Sequence, residues 1–382
     1  MFILMISRGI PTAREPQWGC FEKDQAEALA ALGHKVVVAS VDSRFRFRLR
    51  KPGITIEEKN GVTFYNSFVI PAAISGLLGE SFKEKAKEWQ LERIYNAIER
   101  KYGKPDVIYG EFFFNSYMAI PICKKHGIPL VTIEHAARFN EDTIDRLSLY
   151  QSQEVYKATS ANIAVSQSLR KALKKRFGIE CDVVYNMYGK EFKYQPENKD
   201  SEVFTFVTTG SLIYRKGFDL LPKAFGNINL PKHKWRMLII GGGEEHDRLQ
   251  KLIDESGFHS DIILVGQKGK TEIAQLLNQS DAFVLPSRNE NFSVAVLEAL
   301  ACGLPVIASI CGGIRECIDD KNGILFEVDD VNGLSHCLKH VFEHRLDYDH
   351  AAIAADCRAR FSSEVIAKQL TEIFNKAVSA GK

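Results

Sequence analysis

The sequence predicts an α/β protein built from two doubly wound parallel-sheet domains. Its 382 residues exceed what one ordinary hydrophobic core accommodates. Short β-branched runs alternate with helical patterns along the whole length, which is typical of parallel strands joined by crossover helices. A polar, turn-rich linker is predicted from Asn186 to Ser201, and the alternation then restarts. We expect domains at 1–188 and 189–362, and a C-terminal helix at 363–382 that can pack back on the first domain.

The first domain begins with the strand FILMIS, a helix over Phe21 to Leu32 and the strand HKVVVAS. A further helix is predicted over Phe82 to Tyr102, because its apolar residues recur on one face: Leu91, Ile94, Tyr95, Ile98 and Tyr102. Later strands are DVIYG, PLVTIEH, ANIAVS and CDVVYN. Before the helix, Ser43 to Lys51 reads SRFRFRLRK. A half-buried strand with a solvated basic face is favoured here, and contact with an anionic membrane or a phosphate-bearing acceptor is the alternative.

The second domain repeats the pattern. Its strands are VFTFVTTG, WRMLIIGGG, DIILVG, DAFVLPS and PVIAS. Helices are expected between them at Phe218 to Phe225, Asp247 to Ser256, near Thr271 to Asn278, and around Glu298. Open parallel sheets bind ligands beyond the carboxyl ends of their strands, so two such domains predict a site in a cleft between them.

Composition narrows the class of protein. Hydrophobic residues make up 45% and charged residues 26%, as in soluble globular enzymes, and a net charge of only +2 gives no reason to expect nucleic acid. The apolar start, MFILMIS, lacks the basic residues of a signal peptide, and no segment is apolar enough to span a bilayer, so a cytoplasmic protein is expected. The eight cysteines show no zinc-like spacing and are predicted to be buried free thiols.

Glu298 is the only charged residue between Phe292 and Ile310. A carboxylate on a helix that buries nearly its whole surface costs on the order of several kcal/mol unless a polar partner compensates it. We therefore expect a ligand's hydroxyls to meet Glu298. Glu290 lies seven intervening residues upstream, in the loop before the helix.

The start of the Glu298 helix is a candidate anion site. Asn291 and Ser293 are expected to cap it, and the amides of Asn291, Phe292, Ser293 and Val294 would point at an anion there. One loop and helix can thus supply two carboxylates for hydroxyl groups and free amides for phosphates.

A basic cluster is predicted in TGSLIYRKGFDLL. Gly210 ends a strand, Arg215 and Lys216 lie in the following turn, and Gly217 is at the helix entry. Two cations beside a helix N-terminus suit a diphosphate, and a solvated Arg-Lys pair is the alternative.

Two other glycine-containing turns follow strands. The segment from Gly266 to Lys268 can line a base-binding wall through backbone groups, or form an ordinary loop. The glycines of IIGGGEEH lack the third spaced glycine of a dinucleotide fingerprint, so we interpret them as a tight strand-to-helix turn.

Together these residues resemble the retaining glycosyltransferases of the GT-B fold, in glycosyltransferase family four. The match centres on the E-x7-E pair Glu290 and Glu298. It is framed by Asp281, Pro286-Ser287, Ala301-Cys302-Gly303, Pro305-Val306, Gly312-Gly313 and Glu316. It is supported by Gly210 with Lys216-Gly217, AVSQSL around Ser166, VVYN ending at Asn186, and NGILF after Asp320. These landmarks span most of the chain, and the resemblance implies two Rossmann-like domains facing across a cleft.

The resemblance implies roles for the candidate residues of the second domain. Glu298 would hold the ribose hydroxyls of a nucleotide-sugar, and Glu290 would lie near the donor sugar. Arg215 and Lys216 would meet the diphosphate, with the amides near Phe292 to Val294 completing that site. Because fixed cations and amides can stabilise a departing diphosphate, neither a metal nor another cofactor is expected.

In the first domain the resemblance implies that His135, in VTIEHAA, lies at the end of a strand facing the cleft, with Glu134 beside it. Without that resemblance, a core histidine bonded to backbone would be the preferred interpretation. The turn Trp18-Gly19-Cys20-Phe21 would bring the backbone of Gly19 close to donor and acceptor.

Three departures from the family pattern affect the donor sugar rather than the reaction. The frequent E-G-F-G is Glu290-Asn291-Phe292-Ser293 in this chain. Ser211 stands where an arginine is frequent, and Gly19 alone remains of a usual glycine pair.

We therefore expect a metal-independent, retaining transfer of a sugar from a nucleoside diphosphate donor, with UDP favoured, to a hydroxyl of a glycan or lipid-linked acceptor in surface polysaccharide or glycolipid assembly. The alternatives are a GDP- or ADP-sugar donor, or an inactive homologue that binds nucleotide-sugar. The presence of Glu290, Glu298 and Lys216 argues against an inactive homologue, and the missing fingerprint argues against an NAD-dependent oxidoreductase. No nucleic acid partner is expected, and peripheral contact with the inner face of the membrane is a hypothesis.

Overall fold

The computed structural model describes residues 1–11, 18–42, 44, 53–68, 80–140, 143–196, 202–231 and 233–380. The chain divides into two units, one formed by Met1–Tyr185 with Ser363–Lys382 and the other by Asn186–Ser362. Apart from Arg44, the basic strand predicted at Ser43 to Lys51 lies outside the described residues.

One parallel-type sheet organises the first unit. Its strands are β1 (Phe2–Ser7), β2 (Lys35–Asp42), β3 (Ile54–Lys59), β4 (Val62–Phe68), β5 (Val107–Glu111), β6 (Leu130–Glu134), β7 (Ala161–Ala164) and β8 (Asp182–Val183). Their order across the sheet is β3-β4-β2-β1-β5-β6-β7-β8. Neighbouring strands are parallel except β3 and β4. Because β1 lies between β2 and β5, the winding direction reverses at the β1/β5 boundary, where doubly wound sheets bind ligands.

Helices cover this sheet, and the first two lie close to where the hydrophobic pattern predicts them. They are α1 (Cys20–Ala31), α2 (Glu80–Tyr102), α3 (Phe112–His126), α4 (Arg146–Ala158) and α5 (Gln167–Phe177). On α2, the predicted apolar residues Leu91, Ile94, Tyr95 and Ile98 are fully buried. Ser166 caps α5 by accepting a hydrogen bond from the Leu169 amide at 3.0 Å, which gives the AVSQSL landmark a structural cause.

The C-terminal helix α12 (Ser363–Ala380) is part of the first unit. It contacts α1, and its Phe374 ring lies 5.0 Å from the ring of Tyr109 on β5. Its buried face, which includes Ile366, Leu370 and Phe374, therefore completes the core on one side of the first sheet.

The second unit contains a six-stranded sheet with every neighbouring pair parallel. Its strands are β9 (Phe204–Thr209), β10 (Trp235–Ile240), β11 (Ile262–Gly266), β12 (Ala282–Leu285), β13 (Val306–Ser309) and β14 (Gly323–Phe326), in the order β11-β10-β9-β12-β13-β14. Its helices are α6 (Leu220–Gly226), α7 (His246–Ser256), α8 (Lys270–Asn278), α9 (Val294–Ala301), α10 (Val331–Glu343) and α11 (His350–Phe361). The prediction of two doubly wound parallel-sheet domains is confirmed.

The described part of the predicted linker packs against the second unit. Phe192 is buried, the Asn186 side-chain amide donates to the Phe292 carbonyl at 2.8 Å, and Asn278 on α8 binds the backbone of Lys193 and Gln195. Residues 197–201 lie outside the described part. Hydrogen bonds at Asn186, Lys193 and Gln195 therefore hold this segment in the second unit.

All eight cysteines are free, and six of them are buried while Cys20 and Cys311 are half-buried. The predicted free thiols are confirmed. No helix within the described residues is long and apolar enough to cross a membrane.

Candidate active site

The second sheet has its switch point between β9 and β12. Strand β9 pairs with β10 on one side and with β12 on the other, so the connections leaving the two carboxyl ends diverge. Such a divergence opens a crevice at this edge of a sheet. The loop after β9 carries Gly210, Arg215 and Lys216, and the loop after β12 carries Glu290. Residues far apart in sequence are thereby brought to one place.

Lys216 and Glu290 form a buried ion pair at this edge. The Lys216 ammonium donates to Oε1 of Glu290 at 2.6 Å. The Ser287 hydroxyl donates to the same oxygen at 2.9 Å. The Glu290 residue is only 7% exposed, and the Lys216 side chain is 12% exposed. The carboxylate therefore depends on protein groups rather than water for its stabilisation.

These contacts fix the charge of Glu290. Burial acts on the carboxyl most strongly and raises its pKa, but the charges of Lys216 and Arg215 and the hydrogen bonds from Lys216 and Ser287 together bring the pKa below its ordinary value. Glu290 is consequently ionised at neutral pH. It can accept hydrogen bonds from hydroxyl groups but has no proton to donate.

Arg215 lies on the more open side of the same carboxylate. Its guanidinium is 3.6 Å from Oε2 of Glu290 and donates to the Asn289 carbonyl at 2.5 Å. The side chain is 39% exposed, in contrast to Lys216. Arg215 therefore presents positive charge toward solvent, where an anionic ligand can meet it.

Arg288 was missed by the sequence analysis. It donates to both oxygens of Asp219 at 2.8 and 3.0 Å, and its guanidinium lies 4.0 Å from the ring centroid of Tyr214. Its backbone amide also donates to the Arg215 carbonyl at 2.8 Å. These contacts tie the loop after β12 to the loop after β9, so Arg288 supports the arrangement of Arg215 and Glu290. The available signal was an arginine two positions before Glu290 in PSRNE.

Glycines allow three loops to meet at Glu290. A Cβ atom on Gly217, at φ 67°, would lie 2.0 Å from the Pro286 carbonyl oxygen. A Cβ on Gly312, at φ 54°, would lie 1.7 Å from the Glu290 carbonyl oxygen. Both positions need the left-handed backbone and the absence of a side chain. These two landmarks of the family pattern thus have steric causes.

Gly210 and Gly266 also lie at the carboxyl edge of this sheet. Gly210 directly follows β9, and a Cβ on Gly241 would lie 1.8 Å from its carbonyl oxygen. Gly266 ends β11, and its carbonyl accepts from the Gly241 amide at 3.0 Å. The glycines after β10 form the predicted strand-to-helix turn, since α7 begins at His246. A Cβ on Gly266 would meet no described atom within 4 Å, so this position faces open space.

The start of α9 differs from the prediction in its capping. Ser293 is the N-cap residue, but within the described chain its side chain makes no capping hydrogen bond. Asn291 precedes the cap by two positions and is buried, as are Phe292 and Ser293. Phe292 anchors the loop, because its ring packs 5.6 Å from that of Phe361 and its carbonyl accepts from Asn186. The helix itself begins at Val294, whose amide is among the leading N–H groups that lack an intrahelical acceptor.

The predicted burial of Glu298 is wrong. Glu298 is half-buried on α9, on the same helix face as half-buried Val294 four residues earlier. Val296, Leu297 and Leu300 point into the core instead. The helix therefore has one partly exposed face. The pKa of the Cys302 thiol is raised to about 12, mainly by burial. The charge of the nearby Glu298 is the second cause.

In the first unit, Nε2 of His135 is hydrogen-bonded to a carboxyl group and not to the backbone. It follows β6, and Nε2 lies 2.8 Å from Oε2 of Glu111 at the end of β5. Glu134 has a different role, since its carboxylate accepts from the amides of Phe113, His135 and Ala136 at 3.1, 2.9 and 2.7 Å. It fixes the backbone that carries His135.

Gly19 is held at the start of α1, next to the segment after β1. It is the N-cap at φ 72°, and a Cβ there would lie 2.2 Å from the Gly9 carbonyl oxygen. Trp18 donates through its indole N–H to the Arg8 carbonyl at 3.0 Å. Arg8 pairs with buried Glu22 and lies over the rings of Trp18, Phe21 and Phe112. Arg8, Glu22 and Glu111 were not singled out from the sequence.

The structure therefore gathers the sequence candidates into two sets, one in each unit. Glu290, Arg215 and Lys216 are in direct contact, with Glu298 on the adjoining helix, while His135 and Gly19 lie in the first unit. Within the described residues, no group of three or more His, Cys, Asp or Glu side chains is arranged to hold a metal ion.

Both units match models of known protein families. Residues 23–188 match the family model described as Glycosyltransferase Family 4, and residues 189–356 match the model described as Glycosyl transferases group 1. An uncharacterized glycosyltransferase from Methanocaldococcus jannaschii is 30% identical over 173 residues, which is 45% of this chain and 46% of the relative. A GDP-mannose-dependent monoacylated alpha-(1-6)-phosphatidylinositol monomannoside mannosyltransferase from Corynebacterium glutamicum is 30% identical over 171 residues, 42% of this chain and 44% of the relative. The chain thus spans about half the length of these curated relatives.

Solved structures resemble the whole chain. Sucrose-phosphate synthase from Thermosynechococcus elongatus superimposes with a TM-score of 0.82 at 19% identity, covering 100% of both chains. Anabaena HepE in complex with UDP superimposes with a TM-score of 0.76 at 17% identity, covering 98% of this chain and 99% of that one. The fold is therefore the two-domain, Rossmann-like GT-B fold. The chain belongs to the group 1 glycosyltransferases of glycosyltransferase family four.

Proposed function

We propose that this chain transfers a sugar from a nucleoside diphosphate donor to a hydroxyl acceptor, with retention at the anomeric carbon and without a metal. The observation that carries the proposal is the contact of Lys216 and Arg215 with Glu290 at the switch point of the second sheet. This arrangement offers positive charge for a diphosphate and an ionised acceptor for sugar hydroxyls within one small region.

In this proposal the cations serve the leaving group. Negative charge builds up on the nucleoside diphosphate as the bond to the sugar breaks. Arg215, which is partly exposed, and Lys216 stabilise that charge, together with the leading amides of α9 at Val294. Groups that are already fixed by Glu290 and Asn289 lose little freedom when the diphosphate binds.

Glu290 positions the donor sugar rather than attacking it. Its lowered pKa keeps it ionised, so it is unsuited to act as a general acid. In the proposed mechanism the acceptor hydroxyl attacks the anomeric carbon from the same face from which the leaving group departs, which gives retention. The departing phosphate receives the acceptor's proton. No side chain is assigned as a nucleophile, and Glu298 is assigned to the ribose hydroxyls.

The favoured donor is a UDP-sugar. The structural neighbour HepE is described in complex with UDP, which supports this choice. A GDP-sugar remains the alternative, because one relative is named as GDP-mannose-dependent. Both sugars carry the same diphosphate, so the contacts of Lys216 and Arg215 do not distinguish them.

The proposed acceptor is a glycan or lipid-linked saccharide of surface polysaccharide or glycolipid assembly. We further propose peripheral contact of the basic segment Ser43 to Lys51 with the inner face of the membrane. Its support is the sequence alternation of arginine with apolar residues.

The test is a panel of UDP-, GDP- and ADP-sugars incubated with the purified protein, with release of the nucleoside diphosphate as the readout. The proposal predicts turnover of one nucleotide class above the others, unchanged by EDTA, and an α-configured product from an α-configured donor by NMR. An inverted product would contradict retention. Binding of nucleotide-sugar with no turnover in any acceptor mixture would instead favour the inactive homologue.

A further inference from the structure

The partner of His135 is a fully buried carboxyl group. Glu111 has 0% exposure, and its Oε2 lies 2.8 Å from Nε2 of the imidazole. The other oxygen, Oε1, is also buried and has no hydrogen-bond partner among the described residues. Strands β5 and β6 pair in parallel, so the two side chains meet because they extend from adjacent carboxyl ends. An apolar residue would end β5 without this desolvation cost.

Two aromatic rings hold the imidazole from other directions. The ring centroids of Phe21 and Phe112 lie 4.9 and 5.0 Å from that of His135. Phe112 adopts φ 66°, a left-handed conformation that is unfavourable for a residue with a side chain. A strained residue and a buried carboxyl group therefore both act on one imidazole.

We propose that Glu111 is a positioning residue for His135: it fixes the imidazole and shares a proton with Nε2, so that Nδ1 of His135 stays protonated as a hydrogen-bond donor. This inference rests on the proposed function and on the place in the sugar site that the family resemblance implies for His135. Glu111 itself touches neither sugar nor nucleotide in this proposal.

The proton count explains why Nδ1 is the donor. When the pair holds two protons, one lies between Oε2 and Nε2 and the other is on Nδ1. This is true whether the shared proton belongs to the carboxyl group or to the imidazole. After loss of one proton, Nε2–H donates to the carboxylate and Nδ1 retains only a lone pair. Deprotonation of the pair thus converts Nδ1 from a donor to an acceptor.

Burial favours the two-proton state at neutral pH. Burial raises the pKa of Glu111 to about 8, although the charge of Arg8 opposes this. Glu22 on α1 and Glu134 on β6 are the other carboxyl groups facing the pair, and Tyr109 on β5 lies beside it. Burial is the largest effect on both of these carboxyl groups too and raises their pKa values.

The first test needs no substrate. Protein labelled with ¹⁵N-histidine is titrated from about pH 6 to about pH 10, the His135 signals being assigned from their loss in His135→Asn. We expect Nδ1 to be protonated at neutral pH and to lose its proton at alkaline pH, because burial raises the pKa of Glu111, the group with which the imidazole shares a proton. In Glu111→Gln, which keeps the shape of the side chain, that step should disappear. An identical His135 titration in both proteins would overturn the inference.

The second test separates positioning from a structural role. In Glu111→Gln we expect kcat to fall at least about tenfold with little change in donor KM, and the alkaline decline of kcat/KM to be lost. Glu111→Gln should have no further effect in a His135→Asn background. The matched control is Glu92→Gln, an exposed carboxylate paired with Lys125.

A lower melting temperature with an unchanged pH profile would overturn the inference. If the wild-type protein turns over no nucleotide-sugar, the proposed function fails. The NMR titration still decides whether Glu111 controls the proton on His135, so the two failures are distinguishable.

Discussion

The Lys216 ammonium lies 2.6 Å from the Glu290 carboxylate, although the two residues are 74 positions apart in the chain. Each group depends on the other. The buried carboxylate needs the cation in order to remain ionised, and the carboxylate orients the cation. The arrangement implies that a bound diphosphate shares Lys216 with Glu290. Changes to either residue should therefore affect both stability and turnover.

Removing the cation should cost stability as well as activity. In Lys216→Met, Glu290 keeps Ser287 and Arg215 but loses its nearest charge, and we expect the free energy of unfolding to fall by about 3 kcal/mol. Turnover should fall by about 10²- to 10³-fold, because the leaving diphosphate loses a fixed cation. Urea denaturation and nucleotide release measure the two effects. Lys223→Met, an exposed lysine on α6, should change neither.

Combining Lys216→Met with Glu290→Gln should restore part of the lost stability but none of the lost activity. The double variant has no unpaired buried charge, whereas the reaction still lacks both groups. Additive losses of stability in the double variant would contradict the coupling of the pair.

The acid limb of the stability curve should depend on Glu290. Its pKa is lowered by folding, so the carboxylate stabilises the protein above its unfolded-state pKa of about 4.3, and this contribution is lost as the pH falls through the folded-state value. Glu290→Gln should therefore lose stability mainly at neutral pH and show a flatter decline on acidification. Chemical denaturation at a series of pH values tests this. Parallel curves for the two proteins would contradict this, because they would show that ionisation of Glu290 does not change the free energy of unfolding.

Gly312 should tolerate no side chain. In Gly312→Ala the new Cβ would lie 1.7 Å from the Glu290 carbonyl oxygen, so the loop carrying Glu290 must move. We expect turnover to fall at least about 10²-fold, since small displacements of catalytic groups are costly. Gly257→Ala is the control, because Gly257 has φ 77° but a Cβ there would meet no described atom within 4 Å. It should lose about 1 kcal/mol of stability and no activity. Equal activities of the two variants would show that the contact with Glu290 is unimportant.

The membrane proposal has its own test. Flotation with vesicles containing anionic lipid should carry the wild-type protein upward, and replacement of Arg46, Arg48 and Arg50 by glutamine should weaken binding by roughly 3 kcal/mol in total, at about 1 kcal/mol per charge. Neutral vesicles serve as the control. Absence of flotation for the wild-type protein would remove membrane contact from the account.

The element pattern was predictable because it depends on local signals. Helix α1 begins one residue before the predicted Phe21, and α12 begins at the predicted Ser363. The central strands β9, β12 and β13 are entirely buried, so their apolar runs stand out from the flanking turns. Capping was less predictable: Ser293 has the residue type and place of an N-cap but makes no side-chain bond within the described chain.

The site was predictable only in part, since side-chain pairing depends on which strands become neighbours. The E-x7-E spacing indicated Glu290 and Glu298, but the partnership of Lys216 with Glu290 follows from the pairing of β9 with β12. Likewise, Glu111 meets His135 because β5 and β6 are neighbours in the sheet. The apolar run DVIYG does not reveal which strand lies beside it. The burial of Glu298 was overestimated because an apolar sequence does not reveal that one face of α9 is open.

The assignment of Glu298 to the donor nucleotide is the central claim, and calorimetric titration of the preferred nucleoside diphosphate into wild-type protein and Glu298→Ala tests it most directly. Glu298 is half-buried on an open helix face, so its removal should leave the fold intact while binding weakens by about 10- to 100-fold, the loss of charged hydrogen bonds to a ribose. Glu343→Ala, at an exposed position on α10, should bind as the wild type does. Unchanged affinity and turnover in Glu298→Ala would contradict the account.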